Sequence, residues 1–197
     1  MKFHFDRFLL FAFIGIIVLV CISCQRNEVP KPHAYFRIDF PEKKYQLYNS
    51  ICPFIFDYPV YGIIGSDRYH QDQPCLFNIN FPEYKGTIHL TYHPVNRNID
   101  ILLDDDWNFV YKKIALKADG VDPYNYVDYE NKVYGTVYDI KGNAGSPLQF
   151  FVTDSVDNFL RGSLYFNVKP NYDSLMPVIS FFREDIIHLM ETIRWKE

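Results

Sequence analysis

Apolar residues recur at every second position through most of this chain, in runs that proline or glycine stops after six to ten residues. Such runs fit half-buried strands and are too short for helices. Residues 35–40 set Phe36, Ile38 and Phe40 against Tyr35, Arg37 and Asp39, and stop at Pro41. Residues 54–58 predict a second strand, ended by Pro59. Residues 76–81 and 87–93 alternate on either side of a turn from Pro82 to Gly86, a hairpin with Ile88, Leu90 and Tyr92 inward. Residues 133–140, 148–153 and 159–168 predict three more strands, the first two joined by the Gly142-Asn143-Ala144-Gly145 loop. Only twice does the period become helical. From Ile99 the apolar face is Leu102, Leu103, Trp107, Val110, Ile114 and Ala118. Asn98 is placed to cap that helix, acids at Asp100 and Asp104-Asp105-Asp106 suit its positive end, and Gly120 and Pro123 mark the exit. The last helix starts after Asp173 or Ser174, holds Pro177 in its first turn, and turns Leu175, Ile179, Phe182, Ile186, Leu189 and Ile193 inward. The order predicts an α+β fold, an antiparallel sheet covered by two amphipathic helices. Eighteen Phe and 16 Tyr suit it, since rings pack well across a pleated surface.

The first two dozen residues have another character. Lys2 and Arg7 are followed by an unbroken apolar run at 8–22, which as a helix is roughly 22 Å long at ~1.5 Å per residue. That is short of a ~30 Å hydrocarbon core. A basic start, a short apolar run and a small residue, here Ser23, form a signal-peptide pattern, and Cys24 follows directly. Lipoprotein signal peptidase requires a small side chain before a cysteine that already carries diacylglycerol. Val20 is too bulky to serve Cys21 in that way, and Cys21 itself stands where leucine is favoured. The alternative is an uncleaved signal anchor in which both cysteines are merely small apolar residues. The first reading predicts a lipoprotein signal peptide at 1–23, a lipidated tether at 24–34 and one α+β domain at 35–197. One acyl chain holds a protein marginally at ~0.8 kcal/mol per buried methylene, whereas two or three on Cys24 hold it stably.

The leader removes two of 20 basic residues and one of 24 acidic ones, which leaves a net charge of about −5. Without a basic block, nucleic acid is not an expected partner. Beyond Cys24 only Cys52 and Cys75 remain. In an oxidising compartment such a pair is expected to form a disulfide that contributes about 3 kcal/mol. Unlinked buried thiols are the alternative, and a zinc site fits less well because no histidine has matching spacing.

No chemistry-bearing motif emerges. His89 and His93 are i and i+4 on a predicted strand, ~13 Å apart, too far for one metal. Asp104-Asp105-Asp106 lacks the spacing and glycine of a calcium loop and reads, with Lys112 and Lys113, as a polar helical face. Ser146 sits in neither a nucleophile elbow nor a phosphate loop. Asp154 and Ser155 end a strand where side chains bond the backbone of a turn. His188 reads as a surface group beside Glu184 and Asp185. The expectation is a protein that is not an enzyme, with no cofactor and no metal.

Pro30-Lys31-Pro32, Tyr35-Phe36-Arg37-Ile38-Asp39 and Pro41-Glu42-Lys43 resemble the opening of the gliding motility lipoprotein GldD family of Bacteroidota. The likeness continues through Cys52-Pro53-Phe54, Asn78-Ile79-Asn80-Phe81-Pro82 and Tyr84-Lys85-Gly86. It is densest in Gly142-Asn143, Gln149-Phe150, Thr153-Asp154-Ser155, Phe159-Leu160-Arg161-Gly162, Leu164-Tyr165-Phe166-Asn167, Asp173-Ser174-Leu175 and Arg194-Trp195-Lys196. His33 and Ala34 depart from the family's basic residue and glycine. The resemblance implies a non-enzymatic lipoprotein of the cell envelope, facing the periplasm, needed for gliding and linked to type IX secretion. Its partners would be the membrane, through the lipid, and envelope proteins of that apparatus. The element order is also similar to the Mog1/PsbP-like αβα sandwich. Arg37, Asp39, Arg161, Arg194 and Trp195 are the candidate contacts. The rival is an envelope ligand-binding module for peptide, glycan or lipid, with strand aromatics as a stacking surface.

Overall fold

The computed structural model describes residues 38–66, 73 and 75–196. These residues form β1 (Tyr45–Asn49), β2 (Phe54–Pro59), β3 (Ile63–Ser66), β4 (Leu76–Phe81), β5 (Gly86–Pro94), α1 (Ile99–Phe109), β6 (Gly120–Asp128), β7 (Val133–Lys141), β8 (Leu148–Thr153), β9 (Asn158–Phe166), α2 (Tyr172–Thr192) and β10 (Arg194–Trp195). Seven strands make one sheet in the order β3-β4-β5-β9-β8-β7-β6, every neighbour antiparallel. A second sheet places β2 between β1 and β10, again antiparallel. The α+β class expected from the sequence is the one observed.

Strand alternation gives the large sheet two different faces. Phe77, Ile79, Ile88, Leu90, Leu164, Leu148, Phe150 and Val152 enter a core shared with the small sheet and with Ile179, Phe182, Ile186 and Leu189 of α2. Four rings, Tyr48, Phe54, Phe56 and Phe77, stack there with Tyr48 as the hub, 4.6 Å from Phe77 and 4.8 Å from Phe56. The opposite face carries Tyr138, Ile140, Phe151 and Phe159, covered by Leu102, Leu103, Val110 and Ile114. Gly162 permits the close approach of β8: a Cβ there would collide with the Phe150 ring facing it across the strand pair. Gly142, in the loop after β7, has φ +87°, which a side chain would strain.

Several expectations need correction. Of residues 35–40, 35–37 lie outside the described residues, and Ile38 to Phe40 form no strand. Phe40 instead stacks on Phe181 of α2 at 4.4 Å, an apolar side chain satisfied by helix packing and not by a sheet. The nine-residue β6 stands where Pro123 marks a helix exit; as an edge strand it tolerates a residue without an N–H. β1, β3 and β10 are too short or too exposed to show an apolar period. The first helix does not keep its pitch: it widens to a π-turn at Val110–Ile114 and tightens to a 3₁₀ turn at Ala115–Lys117. Trp107, placed inward by a uniform period, is 49% exposed and stacks on Tyr111, while Asp106 is buried. Asn98 does precede α1, but its side chain accepts from the Asn96 N–H at 2.7 Å. Asn171, not Asp173 or Ser174, caps α2 by accepting from the Ser174 N–H.

Candidate functional site

Three polar constellations stand out from the aromatic packing. The first lies under α1. Arg161 of β9 puts Nε 3.0 Å from Asp106 Oδ1, off the axis of a hydrogen bond, so charge attraction holds the pair. The guanidinium also lies 3.8 Å from the centroid of Phe109. Burial raises the Asp106 carboxyl above the usual range, opposed by the Arg161 charge and by the neighbouring Tyr138 hydroxyl. Asp106 is therefore no part of a polar outer face, and Arg161 keeps only 20% of its side chain in solvent.

The second joins the chain ahead of β1 to α2. Lys43 Nζ donates to the Asp185 carboxylate and to the Phe181 carbonyl, both at 2.7 Å, and sits 3.4 Å from the Phe181 ring centroid. Tyr61 donates to Asp185 at 2.6 Å and Tyr45 at 3.1 Å. Burial first, then the Asp185 charge, pushes the Tyr45 phenol up; burial and the bond to Asp185 do the same for Tyr61. Asp185 is thus saturated inside the protein, and His188 lies on Tyr45 at 3.6 Å with Nε2 3.8 Å from Asp57. The surface group expected of Asp185 and His188 is absent because Lys43, 142 residues upstream, claims the carboxylate.

The third is a surface corner where the β6–β7 turn, the β8–β9 turn and β10 meet around an open cavity of about 330 Å³. Lys132, Arg194, Trp195 and Lys196 line it, together with Asn131, Asp154, Asp157 and Asn158. Trp195 is fixed by its indole N–H to the Lys132 carbonyl at 3.2 Å and edge-on against Phe54 at 6.3 Å. Arg194 Nη1 donates to the carbonyls of Glu191 and Ile193, and Lys196 Nζ to that of Ser50. Asp154 organises its turn. Oδ1 accepts the N–H groups of Val156, Asp157 and Asn158, and Oδ2 accepts from the Asn158 side chain. Burial would raise this carboxyl, but the Asn158 side chain and the three N–H groups outweigh it and leave it below 3.8.

Of the contact residues singled out in the sequence, only Arg194 and Trp195 come together. Arg161 belongs to the Asp106 pair, Asp39 is exposed on the segment before β1, and Arg37 and Cys24 lie outside the described residues. Cys52 and Cys75 are joined by a disulfide, Cα atoms 5.6 Å apart. His89 and His93 share β5. Ser146 is fully buried, 2.7 Å from the Leu164 carbonyl, and accepts from Gln149 at 2.6 Å. Lys132 and Asp154 were missed as neighbours of Arg194; strand-end acids signalled a turn at Asp154, and nothing signalled Lys132. Among the described residues no helix is long and apolar enough to cross a membrane.

The described residues thus define an α+β domain with an antiparallel sheet packed between helices, closed by a disulfide and open to solvent at a polar corner where cations and carboxylates meet. The sequence from residue 25 to 195 matches the family described as gliding motility lipoprotein GldD, and the chain belongs to that family. No curated protein matches it. The chain is similar to cyanobacterial PsbP (CyanoP) from Synechocystis sp. PCC 6803, solved in solution, at 11% identity and a TM-score of 0.49; the match covers 77% of this chain and 92% of that one.

Proposed function

We propose that this lipoprotein is an accessory or assembly factor of the gliding and type IX secretion machinery, acting by protein contact and not by catalysis. Family membership carries the reading. In it, residues 1–23 are a signal peptide, an acylated Cys24 holds the protein to a membrane, residues 24–34 are the tether, and residues 35–197 face the periplasm as one domain. The polar corner around β10 supplies a contact surface, with Arg194 and Trp195 as its best-placed residues. Use of the aromatic strands in core packing counts against the rival stacking platform, because Phe54, Phe56 and Phe77 are buried.

Clean deletion of the gene is expected to abolish spreading and the export of type IX cargo. Normal cargo secretion in the deletion strain would overturn the proposal. Cys24→Ala should release the protein from membrane pellets and lose spreading with it.

A further inference from the structure

We propose that the outward side of the first helix, between Trp107 and Lys117, rests on the headgroups of an anionic bilayer. The inference rests on the anchored-lipoprotein reading above, since an acylated Cys24 holds the protein at that surface. Two kinds of side chain point away from the sheet there. Trp107 and Leu116 are 49% and 75% exposed. Lys112, Lys113 and Lys117 are exposed beside them, while Val110 and Ile114 pack inward against the sheet. Tryptophan and leucine among lysines is the make-up of helices that lie in a membrane interface. The indole takes headgroup level, and the long lysine stems carry their charges out to the phosphates.

The charges of this stretch are uncompensated. From Trp107 to Ala118 the chain holds three lysines and no acid. Among the described residues none of the three lysines enters an ion pair. Lys112 and Lys113 lie instead 5.5 Å and 5.8 Å from the ring centroids of Trp107 and Phe109. The nearest acids are engaged or turned aside. Asp105 faces Arg161 and His93, and Asp119 holds its carboxylate over the backbone of Gly142. Asp100 and Asp104 lie toward the start of the helix. By contrast, Lys43, Lys44, Lys141, Arg161 and Arg183 are each held by an acid. The whole chain carries a net charge of −4, so its field turns the other faces away from an anionic surface and orients this one toward it.

The tether permits the contact. Phe40 stacks on α2, across the large sheet from α1, so the chain must descend past two layers at ~10 Å each. Residues 24–37 reach at most roughly 50 Å at full extension, which exceeds that descent. With α1 on the bilayer, α2 and the small sheet face away from it, open to a protein partner.

The test places the full-length, acylated protein in nanodiscs of phosphatidylethanolamine and phosphatidylglycerol with brominated acyl chains, and reads quenching of tryptophan emission. Quenching is expected, and Trp107→Phe should remove it, because Trp195 lies in the small sheet beyond the large one. The ratio of docked to undocked protein should fall about fivefold for each lysine among 112, 113 and 117 changed to Gln. Glutamine suits a helix as well as lysine does, so the urea midpoint of these variants should not move. Leu116→Ser should weaken docking in the same direction. Unquenched Trp107, or equal quenching in phosphatidylcholine discs, would overturn the assignment. So would a photo-crosslinker at position 116 that yields a discrete protein adduct in cells where lipid adducts are expected. If the protein is acylated and membrane-held but Trp107 stays unquenched, this face is wrong and the anchor stands. If its mass shows no acyl chains on Cys24, the anchored reading itself fails.

Discussion

Asp106 and Arg161 show how a charged pair is held inside a domain with a net negative chain. Replacing Arg161 by Met leaves the Asp106 carboxylate, 1% exposed, without its counter-charge. Because that carboxyl takes up a proton more readily than an ordinary one, the expected loss is about 2–3 kcal/mol, at or below the usual range for a broken buried pair. Asp106→Leu with Arg161→Met should recover most of it, as the midpoints of urea unfolding would reveal. Asp106 and Asp154 should titrate on opposite sides of 3.8. Asp154, depressed, contributes stability that is complete above the ordinary carboxylate value and is lost as pH falls through its lower folded value. Asp106, raised, has the opposite sign: protonation relieves its burial, and its contribution to stability grows as pH falls through its folded value. Carbon-detected titration of the two carboxyls checks both directions, and an Asp154 midpoint at or above 3.8 contradicts the turn described here. None of this was visible from composition. Asp106 belongs to a run of three acids in a helix whose change of pitch no local pattern announces, and its partner lies in β9. The Asp154 turn was legible, because an acid at a strand end has few other uses.

Among the elements, strands with two distinct faces were readable, and edges were not. β4, β5, β7, β8 and β9 carry residues that alternate because each face meets a different layer. β6 is an edge strand, mostly exposed, with only Val121 and Tyr126 packed against the two cores, so Pro123 and exposed Tyr124 hide its pairing. Gly162→Ala should cost about 1–3 kcal/mol by overpacking against Phe150, seen as a lower Tm, while the fold is kept. The Cys52–Cys75 bridge ties the start of β2 to the start of β4, and its removal by Cys52→Ala/Cys75→Ala should cost about 3 kcal/mol. Cys52 is fully buried, so the oxidised protein should resist dithiothreitol until it unfolds, which thiol labelling along a urea series would follow.

At the scale of the whole molecule, contacts distant in sequence decide how the ends are fixed. β1 and β10 flank β2, and Lys43 reaches α2 across 142 positions. Lys43→Met should leave Asp185, 1% exposed, with only two phenols, and proteolysis at residues 38–44 should accelerate severalfold. That same contact has a mechanical consequence. β1 is an outer strand, which under tension from its upstream side would peel bond by bond. Phe40 and Lys43 precede it, and both are fastened to α2. A load arriving along the upstream chain is therefore diverted into that helix before β1 feels it, and α2 runs directly into β10 and the polar corner around it. The segment ahead of β1 and the corner at β10 are thus coupled through one helix, so tension on that segment loads α2 before it peels β1.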